Sequence, residues 1–190
     1  MKAAIVLFLA ACGGSQASAP AAPPGPTRDQ GLVAFETVRT VLQHPRCQNC
    51  HPSGDAPLQG DDSHPHQQNV QRGPEGRGVV GMECTTCHGP ANPPSKYGEH
   101  IPPGNVDGWH MPTPDMQLVF VGKAPHELCE QIKDPARNGG KDLRALRAHL
   151  DSPLVTWGWD PGFGRAPVPV ARQAFLDAWE TWARAGTPCP

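Results

Sequence analysis

Cys47-Gln48-Asn49-Cys50-His51 and Cys84-Thr85-Thr86-Cys87-His88 are the two stretches around which the rest of the chain reads. Each is C-x-x-C-H, the attachment signature of a c-type haem, in which both thiols add across the porphyrin vinyl groups and the histidine binds iron. Two intervening residues let one turn of backbone place both sulfurs along one edge of the macrocycle, and the next imidazole swings under the metal. The expectation is two c-type haems on Cys47, Cys50, Cys84 and Cys87, with His51 and His88 as proximal ligands. Two readings compete. A zinc ribbon also uses paired C-x-x-C knuckles, but it does not need a histidine after both pairs. A thioredoxin-like dithiol expects a βαβ context, which neither motif has.

Composition agrees with a cofactor-filled interior. At 190 residues the chain allows one domain or two small ones. Apolar residues make up 37%, and 21 glycines with 24 prolines approach a quarter of the chain, so side chains alone supply little buried surface to offset ordering entropy. Two porphyrins add the missing apolar area. The formal charge of −2 offers no basic field, and nucleic acid is not an expected partner.

The N-terminus reads as an export signal over residues 1–11: Lys2, then a short apolar run from Ala3 to Ala11. The run is too short to span a bilayer as a helix. Leu9-Ala10-Ala11-Cys12 resembles the lipobox of bacterial lipoproteins, whose cysteine is acylated, and by that analogy Gly13 permits sorting to an outer membrane. An ordinary cleaved signal with a chance cysteine is the alternative. Residues 12–26 follow as a flexible tether of small residues and proline. The expected location is the bacterial cell envelope, lipid-anchored and outside the cytoplasm, where c-type haem is attached and disulfides persist.

The ordered domain is expected over residues 27–190. Thr27-Arg28-Asp29-Gln30 matches a capping box, and Leu32, Phe35, Val38, Val41 and Leu42 recur at helical spacing until Pro45 disfavours helix in the residue before it. Residues 52–81 carry no convincing helix or strand, and 90–115 are again irregular and proline-rich, including Trp109-His110-Met111-Pro112. The four glycines of 72–81 lack the ending of a phosphate cradle. Leu118–Val121 reads as a short strand. Helices are expected from Pro125 to Lys133, from Asp142 to Asp151 with His149 at the edge of its apolar face, and from Ala171 to Ala185 with Phe175, Ala178, Trp179 and Trp182 on one stripe. The fold class is mainly α with long irregular loops and few or no strands, a haem-templated, cytochrome c-like architecture.

Cys129 and Cys189 are left over once four cysteines attach haem and Cys12 carries lipid, and an even remainder in an oxidising compartment predicts a disulfide. For the sixth iron ligands the residues offer His64, His66, His100, His110, His126 and His149, with Met82, Met111 and Met116. His66, His110 and His149 rank first: two lie in irregular segments that need a reason to be ordered, and one on a helix edge. Gly60-Asp61-Asp62-Ser63-His64-Pro65-His66 reads either as a non-haem metal site or, preferably, as a turn whose aspartates cap backbone amides.

His44-Pro45-Arg46-Cys47 through Cys50-His51-Pro52, Pro57–Asp62, Asn69–Gly73, Lys133–Gly140, Trp157-Gly158-Trp159 and Pro188-Cys189-Pro190 together resemble a family of bacterial exported dihaem proteins, often labelled isoquinoline 1-oxidoreductase subunits. The resemblance implies an accessory electron carrier to a dehydrogenase, and this chain has no molybdopterin or iron–sulfur machinery of its own. The leading expectation is therefore a dihaem c-type cytochrome passing single electrons between a redox partner protein and a respiratory acceptor. A small peroxidase-like dihaem enzyme and a zinc-binding structural lipoprotein are the alternatives.

Overall fold

The first helix, α1 (Arg28–Leu42), starts where its capping box requires: the Gln30 amide donates to Thr27 Oγ1 at 3.3 Å and the Thr27 amide to Gln30 Oε1 at 2.7 Å. Its apolar stripe, Phe35, Val38, Val41 and Leu42, is buried. The computed structural model describes residues 24–190. The expected export signal, Cys12 and the expected tether as far as residue 23 lie outside them. After α1 come a short turn of helix, α2 (Pro45–Gln48), then α3 (Pro125–Lys133), α4 (Leu143–His149), α5 (Pro153–Thr156) and α6 (Arg172–Arg184). The described chain is mostly helical with few strands, and none of its helices is long and apolar enough to cross a membrane.

α1 and α6 form the centre of the core. Phe35 meets Trp182 at 5.3 Å between ring centroids, and Trp182 in turn meets Trp179 at 5.2 Å. Leu128 and Ile132 of α3 and Leu146 of α4 close the same cluster. Gly31 permits the C-terminal segment to cross α1, since a Cβ there would stand 2.6 Å from Ala185 Cβ and 2.7 Å from Pro188 Cγ. That segment is then fastened three ways. Trp182 Nε1 donates to the Pro188 carbonyl, His126 Nδ1 to the Pro190 carbonyl, and Cys129 bonds Cys189 as expected.

The disulfide closes a loop of sequence separation 60. Loop-closure entropy for that span is worth about 4 kcal/mol, which in a domain of this size corresponds to roughly 10 °C. The Cys129→Ala/Cys189→Ala protein should therefore unfold at a temperature lower by about that amount in calorimetry. An unchanged midpoint would mean the helices already constrain this end of the chain.

Two expectations need correction. Leu118–Val121 is not a strand: it is extended, but its backbone partners come from the first motif, with the Phe120 amide donating to the His51 carbonyl at 2.9 Å. A segment whose hydrogen bonds go to a motif turn has no ladder to join. Residues 52–81, expected to hold no strand, contain one complete two-residue ladder and one strand of a second. β1 (Leu58–Gln59) pairs with β2 (His64–Pro65), and β3 (Gly78–Val79) with β4 (Met82–Glu83), both antiparallel. Both are tight hairpins whose turns place glycines at positive φ, Gly60 and Gly81, rather than parts of a sheet with a core.

Candidate haem sites

The first motif leaves α1 through a break at His44 and rides on α2, with Pro45 at the helix start. Cys47, Cys50 and His51 line a cavity of about 550 Å³, within the range of cofactor pockets. Val41, Leu42, Ile132, Leu146, Phe175 and Trp179 form its apolar wall, so the aromatic stripe of α6 serves both the core and this cavity. Glu75, Arg77 and Asp115 also line it and are exposed, which marks the side open to water.

His51 is held in one orientation. Its Nδ1 lies 2.6 Å from the Leu118 carbonyl, and because a carbonyl only accepts, this nitrogen carries the proton and Nε2 keeps its lone pair. Phe120 stacks on the ring at 4.0 Å and 17°. Burial pushes its pKa down to about 4, against the opposing pull of the Leu118 carbonyl, so the ring is neutral at pH 7 and able to ligate a metal. His88 repeats the arrangement: Nδ1 donates to the Pro103 carbonyl at 2.8 Å, and burial lowers its pKa. A backbone carbonyl on the far nitrogen is the usual support of a metal-binding histidine.

The setting of the first motif's thiols is unlike that of a redox dithiol. Burial pushes Cys47 up to about 12 and Cys50 up to about 11, whereas reactive C-x-x-C thiols are shifted down. Among the described residues, no group of three or more His, Cys, Asp or Glu side chains converges as a metal cluster, so the four thiols do not meet as a zinc ribbon requires.

The candidate distal ligands divide into those that stand near a motif histidine and those engaged elsewhere. His149 lines the cavity of His51 and stands near enough for its charge to bear on that ring. Burial lowers its own pKa, with Lys141 and His110 adding to the effect. His66 stands against His88, with ring centroids 6.1 Å apart at 64°, and its Nδ1 is engaged by the Gln67 carbonyl at 2.8 Å. His110 lines the first cavity too, as do Met111 and Met116. The remaining candidates are engaged elsewhere or exposed: His64 bonds Asp62 at 2.6 Å, His126 holds the C-terminus, His100 lies 3.9 Å from Glu99, and Met82 is an exposed hairpin residue. The Gly60–His66 stretch is accordingly a turn, with Asp61 paired to Arg46 and accepting from the Ala166 amide.

Two residues that spacing did not single out complete the sites. Arg46, next to Cys47, lines the cavity with a side chain only 3% exposed; it bonds the Gly60 carbonyl at 3.0 Å, while its Nε has no partner. Trp109 lines the cavity and lies 5.5 Å from the His88 ring. A basic residue beside the motif is visible in the sequence; its burial is not.

The second site differs from the first in exposure. Cys84 and His88 are half-buried, Cys87 is exposed, and the hairpin leading into the motif shows Val80 at 99% exposure. The residues fit haem at both places: paired thiols on a turn, an imidazole with its far nitrogen engaged, a second imidazole nearby and, at the first site, an apolar enclosure with a buried guanidinium. No family model, no characterised protein and no solved structure matches this chain.

Proposed function

We propose that this protein is an exported, lipid-anchored dihaem c-type cytochrome that carries single electrons between a donor such as a dehydrogenase and a respiratory acceptor. The observation that carries the reading is the repeated arrangement at the two C-x-x-C-H motifs: each motif histidine spends Nδ1 on a backbone carbonyl, at 2.6 Å and 2.8 Å, with a second histidine lining the same cavity as His51 and another against the ring of His88. Bound haem would supply the one-electron couple. The chain would attach it through Cys47, Cys50, Cys84 and Cys87, orient His51 and His88, enclose the first site in apolar side chains and leave the second reachable by a partner protein. Val79, Val80 and Met82, exposed beside Cys84, would gain an apolar neighbour there. The likeness to exported dihaem proteins supports the same role, and Cys12 would hold the protein to the membrane.

His149 would hold the first haem iron together with His51, and His66 would hold the second together with His88. In protein matured with haem-attachment machinery, a haem stain should survive denaturing electrophoresis and quantitation should give two haems per chain. Both should be low-spin and inert towards hydrogen peroxide. The His149→Ala and His66→Ala proteins should each show one high-spin and one low-spin haem, while His110→Ala keeps both low-spin. A count other than two would sink the reading; a high-spin haem with peroxide turnover in the unaltered protein would favour the peroxidase-like enzyme; a spin change in His110→Ala would move the ligand assignment.

A further inference from the structure

We propose that Trp109 is a wall common to both haem sites, so that the two sites form one coupled unit rather than two independent ones. The inference rests on the dihaem reading and concerns how its two sites are joined. The indole lines the cavity of Cys47, Cys50 and His51, and the same ring lies 5.5 Å from the His88 imidazole at 52°. Its Nε1 donates to the Pro103 carbonyl at 2.9 Å, the oxygen that also accepts from His88 Nδ1 at 2.8 Å. One carbonyl with two lone pairs thus serves the proximal histidine of one site and the wall of the other.

The indole is fixed on its remaining side. Trp157 meets it edge-on at 4.7 Å and 87°, with Nε1 of Trp157 tied to Asn92 Oδ1 at 3.0 Å and the Arg46 guanidinium over its ring at 5.8 Å. The second motif is also bonded directly to the first cavity's lining, because the Cys84 amide donates to the carbonyl of Arg77 at 2.9 Å. Trp109 therefore has separable effects. As a donor it shares the acceptor of His88, and removing its N–H leaves that carbonyl wholly to the imidazole, a stronger bond and a more basic ligand. As an aromatic body it closes the first cavity.

The test uses the full chain matured with covalent haem. Fewer than two haems in the unaltered protein would overturn the dihaem reading itself; the outcomes that follow bear on the shared wall. Circular dichroism of the unaltered protein should show a pair of opposite-signed Soret bands from two neighbouring porphyrins, and a single-signed band would overturn the inference whether or not any variant loads haem. In Trp109→Phe, which keeps a ring and drops the N–H, the reduction potential of the His88 site should fall. In Trp109→Leu, the electron paramagnetic resonance signals of both low-spin haems should move, whereas His66→Ala moves only one set. Movement of a single set in Trp109→Leu, or unchanged potentials in Trp109→Phe, would overturn it.

Discussion

Replacing Cys47 and Cys50 with alanine should give a chain that has lost its cooperative tertiary structure as well as its first haem. The cavity of about 550 Å³ that these cysteines line is built from the same residues as the core, including Val41, Ile132, Leu146, Phe175 and Trp179. Left without an apolar occupant, those core side chains face water through the side lined by Glu75, Arg77 and Asp115. At ~25 cal/mol per Å² of apolar surface, that exposure costs several kcal/mol, a large part of the ~5–15 kcal/mol that holds a typical domain together. Near-ultraviolet circular dichroism during heating should show no sharp transition, while far-ultraviolet helix signal persists. A sharp transition within a few degrees of the unaltered protein would mean that the helices close on themselves without the cofactor.

The Cys84→Ala/Cys87→Ala protein should fail locally instead. Between residues 60 and 115 only Arg72, Gly76, Gly104, Asn105 and Met111 are buried, and Met111 is the one large apolar side chain among them. That stretch has almost no core of its own, yet α1, α3 and α6 pack without it. One haem should remain, cooperative unfolding of the helices should survive, and limited proteolysis should gain cuts confined to residues 60–115. Protection of that stretch equal to the unaltered protein would show that the second haem rides on a segment already held by other contacts. Arg72 is the contact most able to do so, since it bonds the carbonyls of Gly54 and Pro112 from a fully buried position.

The opposite outcomes expected of two identical motifs come from their settings. The first is delivered by helices whose apolar spacing is plain in the chain. The second follows a hairpin of four paired residues, and its surroundings are loops. Glycine and proline spacing announces that those loops exist, but not where they go. The expected strand at Leu118–Val121 shows the same limit. Its apolar run suits a ladder, and only the folded chain reveals that Leu118 and Phe120 are spent on His51.

By itself the sequence determined the two paired-cysteine motifs with their histidines, the capped and striped helices and the cysteine pair left over for a disulfide, because each is written in neighbours a few residues apart or in a simple count. Tertiary structure alone decided that His149 faces the His51 cavity, that His66 stands beside His88, that Arg46 is buried and that Trp109 borders both sites. These choices depend on chain segments that return from far along the sequence, and helical or strand periodicity records which face of an element is apolar without recording what that face meets. The two C-x-x-C-H motifs say where haem would be attached in the proposed reading; the returning loops decide which side chains stand around each motif histidine.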